Sequence, residues 1–325
     1  MTHLDDDDFS LQLDRYRTEI LVHCYRMTGS YSDAEELAQD TFARAWENRI
    51  GFEGRSSLRT WLYRIATNAC LDWLEHSARK TRTVGLASAE HMTWLEPISD
   101  AVLDAVDNDD PESQLLMQES IRLSFLVLLQ TLPPRQRAVF IARDVVKLSA
   151  KEVATLLDTT PEAVNSLVQR ARAALQTIDC EAEPRSTKAS EVAILRHYVD
   201  AHQRGDVTAM CALLASEVSI TMPPEPAVRG LSEAESAFKT FLDPAVTGSW
   251  RLVEIAGNRQ VGTANYLQRP HTNAYEATSI DILRIEDNRI VEVNCFLGTR
   301  SFTNFGLPLI LPSTHHTRSG HEPQS

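Results

Sequence analysis

Basic residues are in short supply: 32 Lys and Arg stand against 45 Asp and Glu in 325 residues, a net charge of −13. That balance excludes a general nucleic-acid coat protein, so any DNA contact has to come from local patches. Cysteine is sparse as well. Cys24, Cys70, Cys180, Cys211 and Cys295 are scattered, with no CxxC pair and no His/Cys cluster at zinc spacing, so neither a disulfide framework nor a metal site is expected, and the thiols read as reduced and packed. Long apolar runs are missing too. No stretch approaches a membrane span, and the opening MTHLDDDDFS is acidic where a secretory signal would be basic and then apolar. The expectation is a cytoplasmic protein with no membrane association.

What is present is enough apolar sequence, 43%, to fill the cores of about two or three domains. The four aspartates Asp5 to Asp8 mark residues 1–9 as a solvated, disordered tail. Leu13, Tyr16, Ile20, Leu21 and Cys24 then suggest a helix stopping at Gly29. The stretch from Ser32 to Glu75 holds two helical patterns joined by a short glycine-bearing loop. Ser32 with Glu35 has capping-box spacing and predicts a helix start. Ala34, Ala38, Phe42 and Ala45 share the face expected to be core, while Glu36, Asp40, Arg44 and Glu47 share the other. The second pattern places Leu58, Leu62, Ile65, Ala66, Ala69 and Trp73 inward and leaves Thr60, Arg64, Thr67, Asn68 and Leu71 as an outer stripe. Such polar and basic groups can hold a nucleic acid.

Between Arg82 and Arg122 there is no Lys or Arg, whereas nine residues from Glu90 to Glu119 are acidic. Residues 83–111 therefore read as an acidic linker, in which Trp94 and Leu95 are expected to dock on protein. The sign then reverses: from Arg122 to Ile178, eight basic residues face four acidic ones, a net of about +4, the footprint expected of phosphate contact. Pro133 and Pro134 suit a first helical turn, and Ser149 with Glu152 forms a capping box for a short helix. Asp158 and Thr159 make a turn, and Thr160 with Pro161 opens the next helix. This is a helix-turn-helix. Its second helix buries Val164, Leu167, Val168, Ala171 and Leu175, so Glu162, Asn165, Ser166, Gln169, Arg170 and Arg172 are available to a major groove.

After a polar linker at 181–190 the rhythm changes. Helices are predicted over Val192 to Gly205, Val207 to Ala215 and Ser232 to Leu242. Strands are predicted over Val218 to Met222, Trp250 to Ala256, Gln260 to Leu267, Tyr275 to Ile285 and Ile290 to Leu297, with a hairpin turn at Glu286 to Arg289. Helices followed by a strand meander make an α+β domain. His197, Asp200, His202, His271 and Asp281 are present, but no spacing singles out a catalytic acid and base. Met222, Trp250, Asn265, Tyr266 and Asp281 are the candidate pocket residues. Residues 313–325 read as a disordered tail.

These motifs carry resemblances. SDAEELAQDTFARAW followed by FEGRSSLRTWLYRIATNACLDWL resembles region 2 of the extracytoplasmic-function class of sigma-70-type factors, and LPPRQRAVFIARDVVKLSAKEVATLLDTTPEAVNSLVQRARAAL resembles region 4 of the same class. Asp158 stands where that family often has glycine, and aspartate tolerates the left-handed conformation such a turn requires. WLEPISDAVLD resembles the linker of members carrying a further C-terminal domain. SEVSITMPPEPAVRG and RSFTNFGLP, with the element order, resemble a SnoaL-like domain of the nuclear-transport-factor-two superfamily, a curved sheet wrapped around helices as a cone.

The resemblance implies a multidomain chain, two all-α sigma domains followed by an α+β SnoaL-like cone, with region 2 at 10–82, region 4 at 112–180 and the cone at 191–312. It implies an RNA polymerase sigma factor without catalytic activity or cofactor. Asp33, Glu36, Asp40, Arg44 and Glu47 are expected to face the core polymerase, through its beta-prime clamp, with region 4 on the beta flap. Arg59, Trp61, Arg64, Thr67 and Asn68 are expected at the minus-ten element, where unstacked bases are held by stacking and edge hydrogen bonds. The helix-turn-helix residues are expected at the minus-thirty-five element. The acidic linker is expected to thread the polymerase channel used by RNA. The cone is expected to regulate in cis, with or without a small ligand or a regulatory protein. Two other readings remain open: a helix-turn-helix regulator with the cone as ligand sensor, and a cone-domain isomerase or hydrolase fused to a DNA-targeting region.

Overall fold

The computed structural model describes residues 6–52, 54, 56–83, 95–105, 119–176 and 188–312. The chain forms two compact units: Met1–Glu183 together with the turn Ala256–Gln260, and the remainder, Pro184–Ile255 with Val261–Ser325.

The first unit is helical. Helix α1 (Asp6–Asp14) already includes part of the aspartate run, and Phe9 is buried, so the expected disordered tail is helical from Asp6. The apolar Phe9 and Leu13 anchor this turn to the core against the repulsion of its charges. Helix α2 (Arg17–Thr28) ends at Gly29, whose φ of 75° lets its N–H close on Tyr25 O, as its position predicts. Helix α3 (Tyr31–Glu47) starts two residues earlier than its capping-box signal suggested: Ser30, not Ser32, is the cap, accepting from Asp33 N at 3.3 Å. The Ser32 N–H is instead taken by Glu96 Oε2 at 2.8 Å, a carboxylate from far along the chain that no local pattern could supply. Helix α4 (Leu58–Thr83) packs its Leu62, Ala66 and Ala69 inward on α2 and α3.

The linker is partly folded. Leu95 to Ala105 lies on this unit, with α5 (Asp100–Leu103) and a fully buried Ile98. Residues 84–94, Trp94 among them, and 106–111 lie outside the described residues. Helix α6 (Leu123–Thr131) leads to α7 (Pro134–Phe140), which continues through a π-turn, Ile141–Val145. Helices α8 (Ala150–Leu156) and α9 (Pro161–Gln176) form the helix-turn-helix. The Ser149/Glu152 capping box is complete, Ala163 N donates to Thr160 Oγ1, and Asp158 takes the left-handed φ of 51°. Asn258 is fully buried in this unit, its Nδ2 donating to Ile121 O at 2.7 Å and Tyr25 Oη at 2.8 Å, its Oδ1 accepting from Ile98 N.

The second unit is α+β. Helices α10 (Lys188–Gln203), α11 (Val207–Leu213) and α12 (Gly230–Phe241) cover a seven-stranded sheet of order β2-β1-β6-β5-β4-β3, with β7 paired to β5. Its strands are β1 (Leu214–Met222), β2 (Glu225–Arg229), β3 (Ser249–Gly257), β4 (Gln260–Gln268), β5 (Ala274–Glu286), β6 (Arg289–Leu297) and β7 (Ile310–Pro312). Strands β2 and β7 are short and lack alternation, which is why the pattern missed them. The β5–β6 hairpin turns on Asp287 and Asn288, both at positive φ, the geometry of a two-residue hairpin loop. Ile194, Leu195, Tyr198, Met210, Phe238, Trp250, Leu283 and Val293 belong to the core between helices and sheet.

Candidate nucleic-acid and polymerase interface

Along α3 the residues Asp33, Glu36, Asp40, Arg44 and Glu47 recur at helical spacing, and Glu36, Arg44 and Glu47 are exposed while Asp33 and Asp40 are half-buried. Asp40 and Arg44 pair at 2.8 Å across one turn. The face extends beyond the charges. Trp46 is 37% and Ile50 is 78% exposed, and the Arg49 guanidinium lies 4.5 Å from the Trp46 ring centroid. Sequence reasoning passed over both residues; the signal was a tryptophan on the polar side of an otherwise amphipathic helix.

The outer stripe of α4 divides. Arg64 and Asn68 are exposed. Thr67 is not: it is fully buried and hydrogen-bonded to His23 Nε2 at 2.9 Å, which corrects the expectation that it faces DNA. Thr60 is 6% exposed, its hydroxyl donating to Glu152 Oε1 at 3.2 Å. The reason is packing on more than one side, since α4 touches α2 and α3 along one flank and α7 and α8 along another. A single-face helical wheel cannot represent that. Arg59 is half-buried and tied to Glu19, Nε to Oε1 at 2.7 Å, and Tyr63 Oη donates to the same oxygen at 2.9 Å. Trp61 is half-buried against Phe52, with ring centroids 5.0 Å apart.

Two buried cations lie behind this surface. Arg137 donates to Met27 O and to Gln130 Oε1, and also to Gln130 O at 3.0 Å and Leu132 O at 3.2 Å. Burial lowers its pKa to about 10. Arg26 donates to Ser120 Oγ at 2.9 Å. His23 is pushed down to about 3, chiefly by burial and then by the Arg26 charge, so it is neutral at physiological pH.

On α9, Glu162, Asn165, Ser166, Gln169, Arg170 and Arg172 are all exposed, while Val164, Val168 and Ala171 are buried. Arg172 is engaged with Asp144 through two contacts, Nε to Oδ2 at 2.8 Å and Nη2 to Oδ1 at 2.5 Å. That bidentate pair orients Arg172 toward its own domain and leaves Asn165, Gln169 and Arg170 as the freer polar groups of the helix.

In the second unit the candidate pocket residues do not converge. Asn265 and Asp281 share a face of the sheet: Asn265 Nδ2 donates to Ser279 Oγ at 3.0 Å, and Ser279 Oγ and Tyr198 Oη each lie 3.3 Å from Asp281. Tyr266 points to the opposite face, against Phe302 and Pro308 O. Trp250 packs on Phe241 and His202 in the core, and Met222 is half-buried at the end of β1. Strand alternation separates neighbours such as Asn265 and Tyr266, which composition alone had grouped. Burial raises the Asp281 pKa, and burial lowers that of His202 to about 4. His197, Asp200 and His271 are exposed. Among the described residues no cluster of three or more His, Cys, Asp or Glu side chains is placed to hold a metal, and no helix is long and apolar enough to cross a membrane.

The chain thus carries a helical unit that includes a helix-turn-helix, followed by an α+β domain. Comparison with known proteins agrees. The Sigma-70 region 2 family matches residues 13–80, Sigma-70 region 4 matches 122–175, and the SnoaL-like domain matches 195–293. ECF RNA polymerase sigma factor SigG of Mycobacterium tuberculosis is 39% identical over 321 residues, covering 93% of this chain and 84% of that protein. ECF RNA polymerase sigma factor SigW of Bacillus subtilis is 32% identical over 177 residues, covering 53% of this chain and 89% of its own length. The crystal structure of the extracytoplasmic function sigma factor SigJ of M. tuberculosis superposes with a TM-score of 0.60 at 22% identity, over 92% of this chain and all of that one, a likeness of fold. The chain belongs to the ECF RNA polymerase sigma factors and carries a C-terminal SnoaL-like domain. It is a non-catalytic transcription initiation factor, of a class that binds core RNA polymerase and promoter DNA.

Proposed function

We propose that this chain recruits core polymerase through α3, opens the minus-ten element with α4 and reads the minus-thirty-five element with α9. The observation that carries the reading is one chain with two separate exposed polar edges on helices, Arg64 and Asn68 on α4 and Asn165, Gln169 and Arg170 on α9. A repressor needs only the second. Glu36, Asp40, Arg44 and Glu47, with Trp46 and Ile50 beside them, form the surface for the beta-prime clamp; an apolar centre rimmed by charge suits a protein partner. The helix-turn-helix unit also meets the beta flap. The complex acts in the cytoplasm, where the polymerase is.

Within the minus-ten set, Arg64 and Asn68 contact the nucleic acid, Trp61 and Arg59 shape the edge, and Thr67 acts from the core. The cone serves regulation in cis rather than catalysis. What supports this is that Asp281, its buried carboxyl, is occupied by Tyr198 and Ser279, and that Ala256–Gln260 is compacted with the helical unit. The test is run-off transcription from a genomic promoter screen with purified chain and core enzyme. Core-dependent, promoter-specific transcripts are expected. A chain that neither binds core nor directs any transcript would reject the assignment.

A further inference from the structure

The stripe that α9 offers to DNA is longer than the part free to bind it. Asn165, Gln169 and Arg172 are spaced by four and then three residues, so they share one side of the helix, and all three are exposed. Arg172 lies beyond Asn165 by about 10 Å of helix rise. With the N-terminal half of the helix in a major groove, a cation at that distance meets the phosphate backbone rather than base edges. Its guanidinium is nonetheless taken: Nε donates to Asp144 Oδ2 at 2.8 Å and Nη2 to Asp144 Oδ1 at 2.5 Å. Two such parallel bonds are the fork that phosphate oxygens accept from arginine.

Asp144 lies in the π-turn Ile141–Val145 that continues α7. Such turns are rare and concentrate at functional positions. Val146 N closes on Ile141 O and Leu148 N on Ala142 O, each at 2.9 Å, and Ile141, Ala142 and Val145 are buried, so the carboxylate is presented from a fixed backbone. Its side chain is 14% exposed against 55% for Arg172: Asp144 is the anchored partner, Arg172 the solvent-facing one. Stability does not account for the pair, because a partly exposed ion pair contributes little and Val164, Val168 and Ala171 already pack α9 on its domain. From this we infer that Asp144 is a specificity-determining residue, an internal substitute for phosphate that withholds Arg172 from the DNA backbone. With that charge engaged, the grip of α9 depends on Asn165, Gln169 and Arg170. Base edges differ between sequences and phosphates do not, so removing one phosphate contact favours the correct site over all others.

This inference rests on the assignment of α9 to the minus-thirty-five element. The test is Asp144→Asn, which keeps the size of the side chain and removes its charge, with Asp144→Ala as a second variant of the same sign. Binding of the full-length chain and of its holoenzyme to a scrambled duplex and to a promoter duplex is followed by fluorescence anisotropy over a series of salt concentrations. Affinity for the scrambled duplex is expected to rise about three- to fivefold, the upper range of an exposed ion pair. The slope of log affinity against log salt should steepen by about 0.9, one further phosphate. A promoter duplex fixes the register of α9 through its bases, whereas a scrambled one lets Arg172 settle on any phosphate, so the ratio of the two affinities is expected to fall. Adding Arg172→Ala should abolish most of the gain. A gain of equal size with and without Arg172 would assign the effect to the Asp144 charge alone and overturn the withholding role, as would no rise in affinity for the scrambled duplex in either chain or holoenzyme. Absence of promoter-specific transcripts from the unsubstituted holoenzyme would instead count against α9 as the minus-thirty-five reader.

Discussion

His23 shows how much a single neutral side chain can control. It is fully buried, hydrogen-bonded to Thr67, edge-on to Tyr63, and beside the Arg26 charge. Its folded pKa of about 3 lies below the unfolded value of 6.5, so between those values the unfolded chain binds the extra proton. Stability is therefore full above pH 6.5 and falls as the pH drops toward 3, by about 2 kcal/mol at pH 5 from this residue. Urea unfolding of the helical unit followed at pH 7 and pH 5 should show that slope, and His23→Gln should flatten it. Thr67→Val should cost about 1 kcal/mol of stability while leaving promoter opening intact once folded. A specific opening defect in that variant would return Thr67 to the DNA surface. Arg64→Ala and Asn68→Ala behave oppositely. Each should reduce open-complex formation about 10-fold or more, the worth of one base contact, while core binding in a pull-down persists.

At the scale of elements, α3 offers the cleanest separation of roles. The Asp40–Arg44 pair is 40–49% exposed on its side chains and adds little to stability, so charge reversal there reads binding rather than folding. Asp40→Lys or Arg44→Glu should weaken core polymerase affinity by about 10-fold without changing which promoters are used, as measured by competition against a second sigma factor. A shift in promoter choice would place this face on DNA instead. On α9, Gln169→Ala should weaken binding to a minus-thirty-five duplex selectively, and Arg172→Ala should act through loss of the Asp144 pair.

For the whole molecule, the division of the chain matters most. The turn Ala256–Gln260 belongs to the helical unit, where Asn258 satisfies Tyr25, Ile98 and Ile121, Gln260 Oε1 accepts from Leu123 N at 3.2 Å, and Arg259 pairs with Asp104. Deleting residues 190–325 removes these partners and leaves buried polar groups unpaired, at about 1–3 kcal/mol each. Transcriptional output from a reporter promoter should change, and proteolysis of Leu95 to Ala105 should accelerate. Unchanged output would dismiss regulation in cis.

Local sequence determined the elements whose signals are local. The helix-turn-helix, with its Ser149/Glu152 box, Pro161 start and left-handed Asp158, was readable because each signal acts within four residues. So were the α3 charge face, the stop at Gly29 and the Asp287–Asn288 hairpin. Tertiary structure alone decided which polar residues of α4 reach solvent, because Thr60 and Thr67 are claimed by partners 92 and 44 residues away. It also decided that the acidic linker folds in part, with Glu96 capping α3 from 64 residues beyond Ser32, and that Asn258 completes the helical unit from 233 residues beyond Tyr25. A buried donor or acceptor needs a partner wherever the fold can provide one, and sequence spacing carries no record of pairings made across such distances.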